Sequence, residues 1–398
     1  MSAYAFDWLS LIARWAHVIA GVSWIGASFY FVWLDDHLVP ATQPDDRRRG
    51  VYGALWAVHG GGFYHNQKYL TGPRGEPLPN DLHWFKWEAY STWITGMAML
   101  TIVYWAGAST YLIDPAVLAL SPPVAIAISV ASLVIGWFGY DLLCRMFGAR
   151  PAVLWTAVGA FLLLVDWSLF HVFGGRAAFI HVGSIVGTIM VANVFFVIIP
   201  GQKRMLAQIR AGKEPDPRPG KLAKIRSVHN TYLTLPVLFI MISNHYPLTY
   251  ATAHGWLVLA AISGAGVLVR RFFVLTHRHR YVIALPIAAG ALLAAVAVAI
   301  APRPASTAAG TGLTSYASVA PIVAQRCAVC HAATPVQPGF SSAPQGVLLD
   351  TPEHIKANAP RIYDAAVATH AMPLGNVTHM TDAERAALGA WIAAGAKT

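Results

Sequence analysis

The chain has 398 residues, 56% hydrophobic and only 12% charged, with 28 Lys and Arg against 18 Asp and Glu and a formal net charge of +10. Soluble domains carry roughly 25% charged residues, so this composition excludes an ordinary soluble protein and puts most of the chain in a lipid bilayer. The positive charge sits in alternate connecting segments, so it is a topology signal rather than a nucleic-acid footprint.

Apolar runs long enough to span, roughly 20 residues each, occur at 7–34, 90–108, 121–143, 152–172, 178–200, 230–246, 254–275 and 281–301. They predict an all-α polytopic membrane bundle of about eight transmembrane helices over residues 1–301. The first run is too long for a signal peptide, contains Arg14 and His17, and has no small-residue cleavage site after it. The sixth is interrupted by Pro236, which membrane helices tolerate, and is ended by Asn244, His245 and Pro247.

Segments 35–89, 144–151, 201–229 and 270–280 hold the clustered Lys and Arg, whereas the N-terminus, 109–120, 173–177 and 247–253 hold only Arg176. The positive-inside rule then places both termini outside, in the periplasm of a multi-pass inner-membrane protein. No internal repeat is visible.

Polar groups inside a membrane are costly and mark functional positions by default. In the first run Arg14, His17, Gly21, Trp24 and Ser28 share one helical face; in the fifth, His181, Ser184 and Thr188 do, with Gly183 and Gly187 permitting close packing. His17, His181, His171, His245 and His254 all fall in the outer half. Two readings fit: a second, non-covalent haem of b type, with His17 and His181 as preferred ligands and His245 next, or interfacial histidines at helix ends. Arg14 and Asp166 lie at similar depth and are expected to pair, with a propionate or an anionic substrate as the other partner for Arg14; Asp141 is expected at the inner interface.

The long segment 35–89 interleaves aromatic residues with His59, a triple glycine at Gly60–Gly62, His65, Lys68, His83, Lys86 and Glu88. One reading is an interfacial amphipathic helix with an aromatic belt. The other is a site for a small planar anion: aromatic faces to stack on, Lys68 or Lys86 as the clamp, close approach at the glycines, and His59, His65, His83 or Glu88 for proton transfer. Ser227-Val228-His229-Asn230-Thr231-Tyr232 lies on the same side.

Residues 302–314 are rich in Pro, Ala, Ser, Thr and Gly and read as a linker. Beyond it, Cys327-Ala328-Val329-Cys330-His331 is the pattern of covalent c-type haem attachment, with His331 as the proximal iron ligand. A half zinc site is the bland alternative, but no second Cys/His pair follows at zinc spacing. Met372, ahead of Pro373, is the expected second axial ligand, with Met380 next. Met380 abuts a capping box, Thr381 to Glu384, that opens a last helix burying Leu388, Trp391 and Ile392. Residues 315–398 therefore predict a small class I-like cytochrome c domain, and an oxidising outer compartment suits it.

The stretches Arg14-Trp15-Ala16-His17, Val58-His59-Gly60-Gly61-Gly62-Phe63-Tyr64, Leu82-His83-Trp84-Phe85-Lys86-Trp87-Glu88 and Val228-His229-Asn230-Thr231-Tyr232 resemble the bacterial membrane-bound urate hydroxylases, in which an eight-helix domain precedes a cytochrome c. The resemblance implies oxidation of urate to 5-hydroxyisourate in purine degradation, with electrons leaving through haem c to a respiratory acceptor, a cytochrome c or terminal oxidase, and without hydrogen peroxide. The family's haem residues map onto Cys327, Cys330, His331 and Met372. The rival readings are a diheme cytochrome relaying quinol electrons to a periplasmic acceptor and a transporter or sensor with an appended cytochrome.

Overall fold

A computed structural model describes residues 3–252, 254–301, 315–338 and 340–397. The expected linker, 302–314, lies outside the described residues. The chain is an all-α membrane bundle with a small helical C-terminal unit. Among the described residues six stretches are long and apolar enough to cross a membrane: Tyr4–His37, Pro122–Phe147, Pro151–Phe170, Gly175–Arg210, Arg218–Ser243 and Gly255–His277. The other two predicted runs are also helical, but one is interrupted and the other short.

Helix α1 (Ala3–His37) shows Trp15, Val18, Ile19 and Val22 to the outside, a surface that suits lipid. The short α2 (Pro44–Arg49) precedes strands β1 (Gly53–His59) and β2 (Gly62–Lys68). Helix α3 (Trp87–Met99) passes into a π-helical turn, Leu100–Trp105, and α4 (Ala108–Tyr111) follows. Then come α5 (Pro122–Phe147), α6 (Pro151–Phe170) and α7 (Gly175–Ala192), which runs through a second π turn, Asn193–Ile198, into α8 (Ile199–Arg210). The bundle closes with α9 (Arg218–Ser243), α10 (Pro247–Tyr250), α11 (Gly255–His277) and α12 (Ala284–Ala299). At 16 residues α12 is about 24 Å long, short of a ~30 Å hydrocarbon core. The segment 201–229, read as a loop, is mostly helix, because polar helical turns can continue into water once they leave the bilayer.

Helix α7 is the central element, with Phe179, Ile185 and Ile189 fully buried. Small residues let its neighbours close in: Gly136 faces Ile185, and a Cβ on Gly183 would lie 2.5 Å from Ile240 Cγ2. Lipid gives helices no hydrophobic reason to associate, so this close packing supplies much of the cohesion.

The segment 35–89 corrects one expectation: its aromatic stretch is an antiparallel hairpin, not an interfacial helix. Gly60 (φ 58°) and Gly61 (φ 81°) form its two-residue turn, the backbone such turns require. Gly60 and Gly61 are thus accounted for by the turn, and Gly62 opens β2. The four basic segments do gather at one end of the bundle: Lys68 and Lys224 pair with Asp35 at 2.5 and 2.6 Å, Arg278 pairs with Asp36 at 3.0 Å, and Arg145 pairs with Asp141 at 2.7 Å.

One ion-pair expectation is also corrected, and Asp141, at the inner end as expected, has a partner the sequence did not show. Asp141 is buried and holds Arg226 at 2.5 Å. Arg226 also donates to Asn193 Oδ1 at 3.1 Å; Asn193 in turn reaches Tyr140 OH at 3.0 Å and Asn230 Oδ1 at 2.9 Å. Tyr140 OH is 2.8 Å from His229 Nδ1. Arg14 and Asp166 do not pair; Asp166 is buried with Oδ1 unpartnered among the described residues, and Arg14 is exposed. Equal depth brought the two together in sequence, but helix azimuth separates them.

In the C-terminal unit, α13 (Tyr316–Arg326), α14 (Pro352–Ala357), α15 (Ala359–Ile362) and α16 (Asp382–Ala393) close over Val319, Val323, Ile355, Leu388 and Trp391. The capping box is present, with Thr381 and Glu384 bonded reciprocally. This unit docks on the bundle end that carries the start of α1, through Ser341 to Asp7 and through Gly375 against Thr110 and Ile113.

Breaking a buried ion pair by removing one partner costs about 3–5 kcal/mol. Arg226→Met is therefore expected to lower the thermal midpoint in detergent sharply, and Asp141→Leu with Arg226→Met to recover at least half of the loss. A double variant as unstable as the single one would show that the charge pairing is not what holds α5 to α9.

Candidate active site

In the C-terminal unit, α13 ends at Cys327, and the next turn is closed by bonds from the Cys330 and His331 amides to the Cys327 carbonyl, at 3.1 and 3.0 Å. That turn puts both thiols and the imidazole on the wall of one cavity. Among the described residues neither thiol is in a disulfide. Burial pushes Cys327 up to about 12 and raises Cys330, and it lowers His331, so the pocket favours neutral thiols and a neutral ring. His331 Nδ1 lies 3.0 Å from the Val347 carbonyl, which fixes its proton there and leaves Nε2 as the lone-pair nitrogen.

Met372 lines the same cavity. Its backbone is held by bonds from Met372 N to Ala365 O at 2.8 Å and from Arg385 Nη1 to Met372 O at 2.7 Å. Met380, the alternative thioether, is instead packed in the core and 3% exposed. Two thiols, an oriented imidazole and a thioether on one largely apolar cavity fit the attachment of a c-type haem. They fit zinc less well: among the described residues no three His, Cys, Asp or Glu side chains are grouped to hold a metal ion.

The cavity does not end at the domain boundary. At about 2250 Å³ it continues into the outer half of the bundle, where Arg14, His17 and Gly21 of α1, Thr92 and Gly96 of α3, and Arg176 of α7 line it. Arg176 lies 5.3 Å over the Tyr111 ring and reaches Asn244 Oδ1 at 3.4 Å. His17 Nδ1 is 3.0 Å from Thr92 O and 3.1 Å from Thr95 Oγ1. Tyr104, also on the wall, has a buried hydroxyl with no partner among the described residues.

The structure separates the three membrane histidines read as candidate haem ligands. His17 and His245 line the cavity, whereas His181 is fully buried elsewhere with both nitrogens engaged: Nδ1 at 2.7 Å from Ala177 O and Nε2 at 2.7 Å from Ser129 Oγ. Trp105 Nε1 donates to that same Ser129 hydroxyl at 2.9 Å, completing a closed network.

The inner-face residues are not gathered into one pocket. His59 and His65 are exposed on the hairpin, His65 stacked 4.3 Å from Trp56. Lys68 is paired with Asp35, Lys86 precedes the first turn of α3, and Glu88 in that turn has a buried Oε2 with no partner among the described residues. His83 is exposed and lines a shallow, open depression with Trp84, Lys203 and Arg210. Arg176, Asn244 and Tyr111, which sequence reasoning passed over as site residues, do meet. The available signal was that Arg176 is the lone basic residue of the outer segments.

The fold and this cavity define a helical membrane protein whose bundle opens, at one end, onto a thiol- and imidazole-bearing C-terminal unit. The chain belongs to the urate oxidase N-terminal family, whose model matches residues 3–301, the whole bundle. No curated protein and no solved structure matches the chain.

Arg326, beside Cys327 on the cavity wall, is tied at 3.0 Å to Glu384. The Thr381 amide, with Arg326 after it, holds the Glu384 carboxyl below its usual range. A depressed carboxyl stabilises the fold above its unfolded value, about 4.3, and that contribution is lost as pH falls through the folded value. Melting of the full chain at falling pH is expected to show a steeper loss for the parent than for Glu384→Gln below about pH 4.3; parallel curves would contradict the assignment.

Proposed function

We propose that the protein is a membrane-bound urate hydroxylase that passes electrons to a c-type haem on its C-terminal unit. Urate and one water become 5-hydroxyisourate, two protons and two electrons; the electrons leave one at a time for a respiratory acceptor, so no hydrogen peroxide forms. The family match over the bundle supports the substrate. The observation that carries the reading is the single cavity shared by the outer mouth of the bundle and the Cys327, Cys330, His331 and Met372 wall. A substrate bound in that mouth needs no path across the membrane to reach the haem.

Cys327 and Cys330 would attach a c-type haem and His331 and Met372 would hold its iron, and the group would supply a one-electron acceptor of raised potential. The remaining work falls to the chain. Arg176 meets the urate anion, the Tyr111 ring offers a stacking face, and the Asn244 amide fixes orientation. His245, adjacent to Asn244 on the same wall, takes a proton as charge leaves the purine. The basic segments lie at the far end of the bundle, which under the positive-inside rule turns this mouth to the periplasmic side of the inner membrane.

A lost charge-assisted hydrogen bond is worth about 1.5–3 kcal/mol, or roughly tenfold to a hundredfold in binding. Arg176→Ala is expected to raise KM for urate by at least about tenfold with covalent haem content unchanged, and Arg176→Lys to recover part of it. If His83→Ala abolishes turnover while Arg176→Ala leaves it intact, the substrate binds at the inner face and the proposal falls.

A further inference from the structure

We propose that the bundle half of the cavity binds a second iron tetrapyrrole, held without covalent attachment, with His17 Nε2 as an axial ligand. The first observation is the tautomer of His17. Its Nδ1 faces the Thr92 carbonyl and the Thr95 hydroxyl, and the Thr95 hydrogen is already directed to Ser91 O at 2.7 Å. Both neighbours therefore accept, so Nδ1 carries the proton and Nε2 keeps the lone pair. Nε2 makes no hydrogen bond among the described residues, on a side chain that lines the cavity. A bonded Nδ1 and an open Nε2 are what an imidazole needs to bind a metal.

The second observation is shape. A Cβ on Gly96 would lie 3.1 Å from His17 Cε1, so the ring lies against α3 because residue 96 has no side chain. Gly21 follows one turn after His17, and Gly187 faces open space, with nothing within 4 Å of a Cβ. Apolar side chains, among them Met97, Leu100, Val237 and Met241, line the rest. Backbone exposed at glycines, with apolar walls, admits a flat, greasy ring. At about 2250 Å³ the cavity exceeds the 300–1,000 Å³ of ordinary ligand pockets and leaves room beyond the group at Cys327 and Cys330.

The third observation is charge. Arg14 sits one turn from His17 toward the mouth, on the cavity wall, and has no ion-pair partner among the described residues. A tetrapyrrole carries carboxylates, and Arg14 is the residue beside His17 that would meet them. Because one cavity holds both positions, no protein wall separates the second haem from the covalent one.

The test is haem partition on the purified full-length protein from haem-replete cells, which needs no substrate and is independent of the urate reading. Acidified organic solvent strips non-covalent haem and leaves thioether-linked haem on the chain. The expected result is one extractable haem per covalent haem and two distinct bands in the reduced spectrum. His17→Ala should lose the extractable haem and its band while keeping the covalent one. Should His17→Ala fail to fold, Gly187→Leu, which fills the slot, is expected to lower the extractable fraction. A parent fully loaded with covalent haem that releases none, or a His17→Ala protein that releases as much as the parent, overturns the proposal.

Discussion

The arrangement depends on one close contact between the two parts of the chain. Gly375 lies against the Thr110 and Ile113 carbonyls so tightly that a Cβ would come within 3.1 and 2.9 Å of them, and its φ of +56° also disfavours any side chain. With Ser341 bonded to Asp7, this contact sets the Cys327–His331 turn over the mouth of the bundle. Were the C-terminal unit displaced by a few ångströms, the common cavity would become two separate surfaces. Proximity of the reacting group and its electron acceptor would be lost with it.

Polar groups are spent unevenly in both halves of the bundle. In the inner half Asp141, Arg226, Asn193, Asn230, Tyr140 and His229 form one network, while Arg270 and Glu88 keep buried atoms without partners among the described residues. The buried charges of the network are tolerated because they are paired and hydrogen-bonded. On the cavity wall of the outer half, among the described residues, Arg14 has no ion pair, Tyr104 OH has no partner and His17 has one nitrogen unused. Unspent donors and acceptors on a cavity wall are where a ligand can gain what the protein has not taken.

Much of this was legible in the sequence, and the limits have physical causes. Each predicted apolar run is helical, because roughly 20 apolar residues admit few other structures in a bilayer. The Cys327–His331 motif and the Thr381–Glu384 capping box are local, so spacing alone located them. The hairpin was missed although Gly60-Gly61 between alternating residues is a turn signal; the density of aromatic residues drew the reading toward an interfacial helix. Arg226 and Asp141 are 85 residues apart and meet only because α5 and α9 both pack against α7. His17 and His181 share a depth but not a cavity, since depth follows from sequence and azimuth only from packing.

The most direct test of the shared cavity as a redox site is an anaerobic optical spectrum of the purified, oxidised protein before and after urate. The expected result is reduction of the c-type haem, with two haem equivalents reduced for each urate consumed. A haem that stays oxidised with urate but is reduced by a quinol would contradict it and make the protein an electron relay.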